Sequence, residues 1–291
     1  MTLRFPILLA VFLSICQAQE PVFIDDAKIE KDFVDKLSAL IKTEDTLTMR
    51  QAKVALKKCP SRQVSIPTIS SKTSPETPAS LYRHCAPSMV SIGSIFQCDK
   101  CEHWHHGGAA SGWIASPDGL IVTNAHLFEN GKDDPMAVMT LDGEIFPVKE
   151  IVAADVAKDI AILRIDPGNK TLRALPLANS AEPGDEVHVI SHPQGQYYCL
   201  TSGKISRFHR DQLKEDQEPT DWMSITADFA GGSSGGPVLN KNGEVVGMVA
   251  STLTAYSEAS DCKTRPGPDV QMVFKDCIPL PSIRAIFQSR E

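Results

Sequence analysis

Past its first residues the chain has no apolar run long enough to cross a bilayer, and it is short of positive charge. Lys and Arg number 29 against 36 Asp and Glu, a formal charge of −7. That balance argues against nucleic acid and anionic membrane surfaces as partners. The one pronounced apolar run, 5–16, follows Arg4 and ends at Cys16-Gln17-Ala18, a small-residue cleavage pattern. Its 12 residues fall short of the roughly 20 that a spanning helix needs, so residues 1–18 are expected to be a secretory signal peptide. A lipid-attachment reading through Leu13-Ser14-Ile15-Cys16 meets a bulky Ile15 where a small residue is wanted. The mature protein is therefore expected to be secreted or periplasmic and not inserted in a membrane. Removal of Arg4 with the signal leaves 28 basic residues against 36 acidic ones. With 42% hydrophobic residues over the whole chain, the mature part has ample material for a core.

A second absence selects among chemistries. No histidine follows His209, yet Gly231-Gly232-Ser233-Ser234-Gly235-Gly236-Pro237 has the features of a loop that presents a nucleophile. Small residues around Ser234 allow a tight turn and leave backbone N–H groups free to face a developing oxyanion. A flexible Gly/Ser linker is the bland alternative. Against it, Pro237-Val238-Leu239 and the 243–249 stretch read as strand, turn and strand, so the loop is embedded in a hairpin. The same letters satisfy the nucleophile elbow of α/β-hydrolases, but that arrangement needs its histidine after the serine. The base must lie upstream, in the chain order His, Asp, Ser.

Taken in order, residues 19–59 read as helical, with Ile29, Phe33, Leu37 and Leu40/Ile41 at helical spacing. In 60–80, 13 of 21 residues are Ser, Thr or Pro, which predicts an extended linker. The helical piece reads as an oligomerisation arm, a pro-segment or a packing appendage, so a homo-oligomer stays among the readings. A chain shortened to begin near Leu81 is expected to fold. From there the texture is short strands (90–96, 112–115, 120–123, 145–148, 160–165, 186–190, 200–206 and 245–250) separated by turns such as Asp142-Gly143 and Asn242-Gly243. Many short strands predict an all-β class of paired antiparallel barrels, about 81–172 and 173–291. The 281–288 stretch predicts a closing helix with proline in its first turn.

His126 directly follows the apolar run 120–123, and a strand end is a rigid place to hold a general base. Asp159 stands at the mouth of the 160–165 run, where a carboxylate is costly unless something such as an imidazole N–H pairs with it. Asp155 is its rival, though no strand follows that residue directly. At these residues the chain resembles HtrA/DegP-type trypsin-like proteases. The resemblance rests on Ser111 through His126, on Lys158-Asp159-Ile160-Ala161-Ile162-Leu163, and on Gly232-Ser233-Ser234-Gly235-Gly236-Pro237, with a further match from Pro183-Gly184-Asp185 to Ser206. It implies a chymotrypsin-like double β-barrel and an exported serine endopeptidase. His126, Asp159 and Ser234 would be its triad, and the backbone N–H groups of Gly232 and Ser234 its oxyanion hole. Protein or peptide substrates are implied, and no cofactor. The alternative is a catalytically silent domain that binds or senses peptides.

Three departures qualify the resemblance. The chain stops soon after Ser234, which leads us to expect no PDZ domain. Ser233 stands where the family commonly has Asn. The third departure is Cys98 and Cys101 with His103, His105 and His106, which lie outside the family pattern. Eight cysteines less Cys16 leave seven, so at least one stays free or pairs elsewhere in an oxidising compartment. A local Cys98–Cys101 disulfide is the plainer reading, and no metal is expected. A zinc site using both thiols with His103, His105 or His106 is the alternative. Asp228 precedes Ser234 where trypsins carry the carboxylate that selects Lys or Arg, but an exposed loop aspartate is favoured. Met248, Val249 and Ala250 are expected to be the strand that a substrate backbone extends. Asn169-Lys170-Thr171 matches a glycosylation acceptor, which matters only in a eukaryotic source. Ser233 carries no charge to receive a newly cut N-terminus, and no Arg/Lys-Ile-Val-Gly-Gly-like junction precedes the first strand. Activation by buried terminal ion pairing is therefore not expected.

Overall fold

The apolar runs after Ser88 fold into two closed six-stranded antiparallel barrels. A computed structural model describes residues 22–59, 63–67, 69, 75–98, 100–129, 131–211, 219–257 and 269–290. The expected signal peptide and Cys16 lie outside the described residues. The first barrel takes β2 (Met89–Gln97), β3 (Trp104–Ser116), β4 (Leu120–Thr123), β5 (Met136–Thr140), β6 (Ile145–Asp155) and β7 (Ile160–Ile165), ordered β2-β3-β4-β7-β6-β5. The second takes β8 (Glu186–Ser191), β9 (Cys199–Asp211), β10 (Thr220–Ile225), β11 (Pro237–Asn240), β12 (Val245–Tyr256) and β13 (Val270–Pro279), ordered β10-β13-β12-β11-β8-β9. Closure pairs each strand with two neighbours over part of its length, so neither sheet ends in an edge strand, though longer strands overrun their partners. Val90, Ile92, Ile114, Ile121, Val138 and Leu163 fill the first barrel, and Val187, Val189, Ile225, Val238 and Val246 the second. Trp113, Leu120, Ile190 and Met248 belong to one buried cluster drawn from both.

The N-terminal residues form α1 (Asp26–Leu40) and α2 (Met49–Lys58). The Asp25 carboxylate caps α1 by accepting from the Lys28 N–H, and a reciprocal Thr48/Gln51 capping box starts α2. Both helices lay an apolar stripe on the first barrel. Phe33 and Leu37 are buried against Ile95, Ala137 and Met139, while Ala52 and Leu56 join the barrel's own core cluster. Within 60–80, Val64–Pro67 forms a short strand, β1, which pairs in parallel with β14 (Phe287–Arg290). Helix α3 (Pro78–Cys85) begins with a Thr77/Ser80 capping box and buries Leu81 and Cys85. The closing helix α4 is Leu280–Ala285, shorter than the 281–288 expected, because Phe287 turns into the pairing with β1.

Candidate active site

His126 lies in the single 3₁₀ turn Ala125–Phe128 that follows β4. Its backbone N–H donates to Asp159 Oδ1 at 2.8 Å, and its ring Nδ1 is 2.7 Å from Asp159 Oδ2. One carboxylate thus grips the histidine twice, fixing both main chain and ring. Asp159 sits in the turn between β6 and β7 with φ 57°, a left-handed conformation uncommon outside glycine. The Asn124 side-chain amide and the Ala125 N–H, at 3.1 and 3.3 Å, both donate to the Asp159 carbonyl and hold that turn. The hydrogen bond to Asp159 raises the His126 pKa above the ordinary imidazole value, and partial burial opposes the rise. Asp155 faces elsewhere: its carboxylate accepts from the Lys158 N–H and pairs with the Lys158 ammonium at 3.2 Å.

Ser234 lies in the 230–236 loop that leads into β11. Gly232 has φ +94°, and a Cβ there would lie 2.4 Å from the His192 carbonyl oxygen. Gly235 has φ +84°, and its Cβ would meet the Ser111 carbonyl and the Thr123 hydroxyl at 2.2 Å. Only glycine permits either approach. The second approach presses the loop on the end of β4, three residues ahead of His126, and the Ser111 N–H donates to the Ser234 carbonyl at 3.0 Å. The loop that carries Ser234 therefore packs on the strand end that leads into His126. Among the described residues no hydrogen bond joins the Ser234 hydroxyl to the His126 ring, and neither the Gly232 nor the Ser234 N–H has an acceptor.

Ser233 is fully buried, and its hydroxyl accepts from that of Ser191 at 2.9 Å. The slot ahead of Ser234 is thus filled by a neutral, satisfied pair.

The 192–198 stretch braces this loop and was not read as functional from the sequence. The Gln194 N–H donates to the Gly231 carbonyl at 2.7 Å, and the Ser111 hydroxyl donates to the Gly232 carbonyl at 2.8 Å while accepting from the His192 N–H at 3.0 Å. Burial holds the His192 pKa down to about 4, so its ring is neutral and Nδ1 accepts from the Tyr198 N–H at 3.0 Å. Gln194 and Tyr198 have φ of 52° and 57°, so the bracing turn is itself strained. It is tied to α1, where Asp26 Oδ1 accepts from the Tyr197 N–H at 3.0 Å. No sequence signal joins Asp26 to Tyr197, which are far apart in the chain.

Of the expected substrate contacts, Asp228 is the exposed loop residue that the sequence favours, while the strand contact changes in detail. Asp228 is 87% exposed, and Lys275 stands 3.5 Å from its carboxylate while also donating to the Phe229 carbonyl at 2.7 Å. A fixed cation therefore already accompanies it. Met248 and Val249 lie inside the barrel: Met248 pairs with Pro237 and Ile278, and Val249 exchanges hydrogen bonds with Gly235 and Gly236. Their backbones are used. Beyond Ala250, β12 keeps β13 on one side, and its other edge has no paired strand among the described residues. The open edge thus begins at Ala250, not at Met248.

Cys98 and Cys101 lie on the turn between β2 and β3 with their sulfurs 3.0 Å apart and unbonded, and His105 Nε2 is 2.9 Å from the Cys101 sulfur. His103 does not join them, and His106 turns toward α1, its ring 5.2 Å from that of Phe33.

Residues 110–248 match the model of the trypsin-like peptidase domain. The chain is 34% identical over 144 residues to a probable periplasmic serine endoprotease DegP-like of Halomonas elongata, covering 50% of this chain and 29% of that protein. To serine protease HTRA1A of Danio rerio it is 36% identical over 181 residues, 61% of this chain and 37% of the relative. To serine endoprotease DegS of Haemophilus influenzae it is 32% identical over 151 residues, 52% and 43% respectively. The chain spans less than half the length of each of these relatives.

Proposed function

We propose that this chain, whose residues 110–248 match the trypsin-like peptidase domain and which is similar to DegP-like and DegS serine endoproteases, is an HtrA-type exported serine endopeptidase. Ser234 acts as nucleophile, His126 as general base and acid, and Asp159 as the group that orients the imidazole. The observation that carries this reading is the double grip of Asp159 on His126, together with a loop packed on the end of β4 whose Gly232 and Ser234 N–H groups have no acceptor among the described residues.

The reaction follows from those positions. His126 Nε2 takes the Ser234 hydroxyl proton as the oxygen attacks the substrate carbonyl. The imidazolium so formed is steadied by Asp159, which holds Nδ1–H throughout. Charge developing on the carbonyl oxygen is met by the Gly232 and Ser234 N–H groups, each worth about 3–4 kcal/mol of transition-state stabilisation in such sites. His126 then returns its proton to the leaving amine, and the acyl group stays on Ser234. Water, activated by the same histidine, releases it.

Substrates are polypeptides whose backbone adds to the free edge of β12 from Ala250 onward. Lys275 offsets the charge of Asp228, so a small aliphatic side chain at the cleavage site suits the pocket better than Lys or Arg. Export rests on the 1–18 signal pattern. No helix among the described residues is long and apolar enough to cross a membrane.

The missing hydrogen bond between Ser234 and His126 favours a second reading, a silent peptide-binding domain. Such bonds are often long before substrate arrives, so the bond's absence does not remove the first. A fluorophosphonate probe on the purified mature chain separates the two. Labelling of the wild type and not of Ser234→Ala supports the enzyme. No labelling of either supports the binder.

A further inference from the structure

We propose that Cys98, Cys101 and His105 form a binding site for a soft or borderline divalent cation, Zn²⁺ above all, at the tip of the β2–β3 hairpin. The ligand atoms of these three residues all lie within 4.8 Å of one another, and the three side chains are half-buried. Around a tetrahedral zinc ion with Zn–S about 2.3 Å and Zn–N about 2.0–2.1 Å, ligand atoms stand roughly 3.5–3.8 Å apart. The contacts of 3.0 Å and 2.9 Å would open by less than about 1 Å to admit the ion.

The position of His105 distinguishes this site from a disulfide. A disulfide needs two sulfurs and no imidazole, yet His105 aims Nε2 at the Cys101 sulfur. The strand ladder puts it there. His105 pairs with Phe96 across β2 and β3, and the two rings lie 5.5 Å apart, which limits how the imidazole can turn. The preceding pair, Gln97 with Trp104, is the last of the hairpin, so the cysteines close the turn just beyond it. Two thiolates and a neutral imidazole neutralise a divalent ion, and binding releases two thiol protons to solvent. A fourth position is left for water.

The ion's role is structural. It ties the hairpin turn to the start of β3, the strand that runs on to Ser111 and its contacts with Ser234 and Gly232. No step of the proposed hydrolysis passes through it.

The test uses the full mature chain, prepared reduced and metal-free, and Co²⁺ as the probe. Sulfur-to-cobalt charge-transfer absorption and tetrahedral d–d bands should saturate at one ion per chain, and Zn²⁺ should displace them while raising the melting temperature. His105→Asn, a half-exposed change, should weaken Co²⁺ binding at least about tenfold. Cys101→Ser should abolish the charge-transfer band, and His103→Asn should leave the titration unchanged. The site is refuted if Co²⁺ gives no charge-transfer band, or if His105→Asn binds as tightly as the wild type. It is equally refuted if the native protein, isolated without reductant, holds a Cys98–Cys101 linked peptide that Zn²⁺ neither prevents nor competes with.

Discussion

Leu37→Ala tests whether the N-terminal helices belong to the fold. Leu37 is wholly buried, packed with Phe33 of α1 against Ile95, Ala137 and Met139 of the first barrel. The substitution removes three carbons from that contact. At about 0.8 kcal/mol per buried methylene-sized group the transfer loss alone is roughly 2.5 kcal/mol. The surrounding strands are hydrogen-bonded on both sides and cannot collapse fully into the gap, so a cavity adds to it. The total should fall within about 3–4 kcal/mol, a large part of a domain's stability. Urea denaturation followed by tryptophan fluorescence measures it as a lower midpoint with an unchanged slope. A loss below about 1 kcal/mol would mean that α1 only rests on the barrel, and the reasoning fails. The same burial bears on the shortened chain beginning near Leu81, which the composition of 60–80 suggests would fold. Such a chain would expose Ile95, Met139 and the face that Ala52 and Leu56 cover, and we expect it to be insoluble or only partly folded.

Three further outcomes follow from the site. Because Asp159 raises the His126 pKa, kcat/KM should fall as pH drops through a midpoint above the ordinary imidazole value, and that midpoint should move down in Asp159→Asn; a midpoint unmoved by the substitution would detach the two residues. Asp159→Asn should lower kcat by about 10⁴-fold, whereas Asp155→Asn, which loses only contacts with Lys158, should cost less than about 3-fold in the same peptide assay; the reverse order would make Asp155 the partner. Because the slot at Ser233 is closed by its bond to Ser191 and carries no charge, residues fused ahead of Gln19 should leave turnover unchanged; activity that appears only after a new N-terminus is cut near 80–90 would refute this.

Much of the architecture was legible in the chain because it depends on short-range rules. Period-two and continuous apolar runs marked β2, β4, β7 and β8, and the barrels required nothing more than many such strands with turns between them. β5, β10 and β13 passed unread. Met136–Thr140 is buried throughout, and a continuous run of that length carries no period to separate strand from helix. The residues of the proposed triad stood out because each sits at a strand end or in a glycine loop. The positive φ at Gly232 and Gly235 is a local demand that leaves glycine as its sequence trace, although the groups that crowd them, His192, Ser111 and Thr123, are distant in the chain.

What tertiary structure alone decided is every pairing across large separations. The amphipathic stripe Phe33/Leu37 showed that α1 must cover something, not that it covers Ile95 and Met139. Asp26 reaches Tyr197, and through the strained 192–198 turn the 230–236 loop, because α1 docks where it does. Likewise Asp155 and Asp159 are near equals in sequence, and only the left-handed turn at Asp159 aims one carboxylate at His126 while Lys158 holds the other. The physical reason is common to all three: a residue's own neighbours fix its conformation, but which distant group fills its hydrogen bond or its cavity depends on how the closed sheets and the helices on them come to rest.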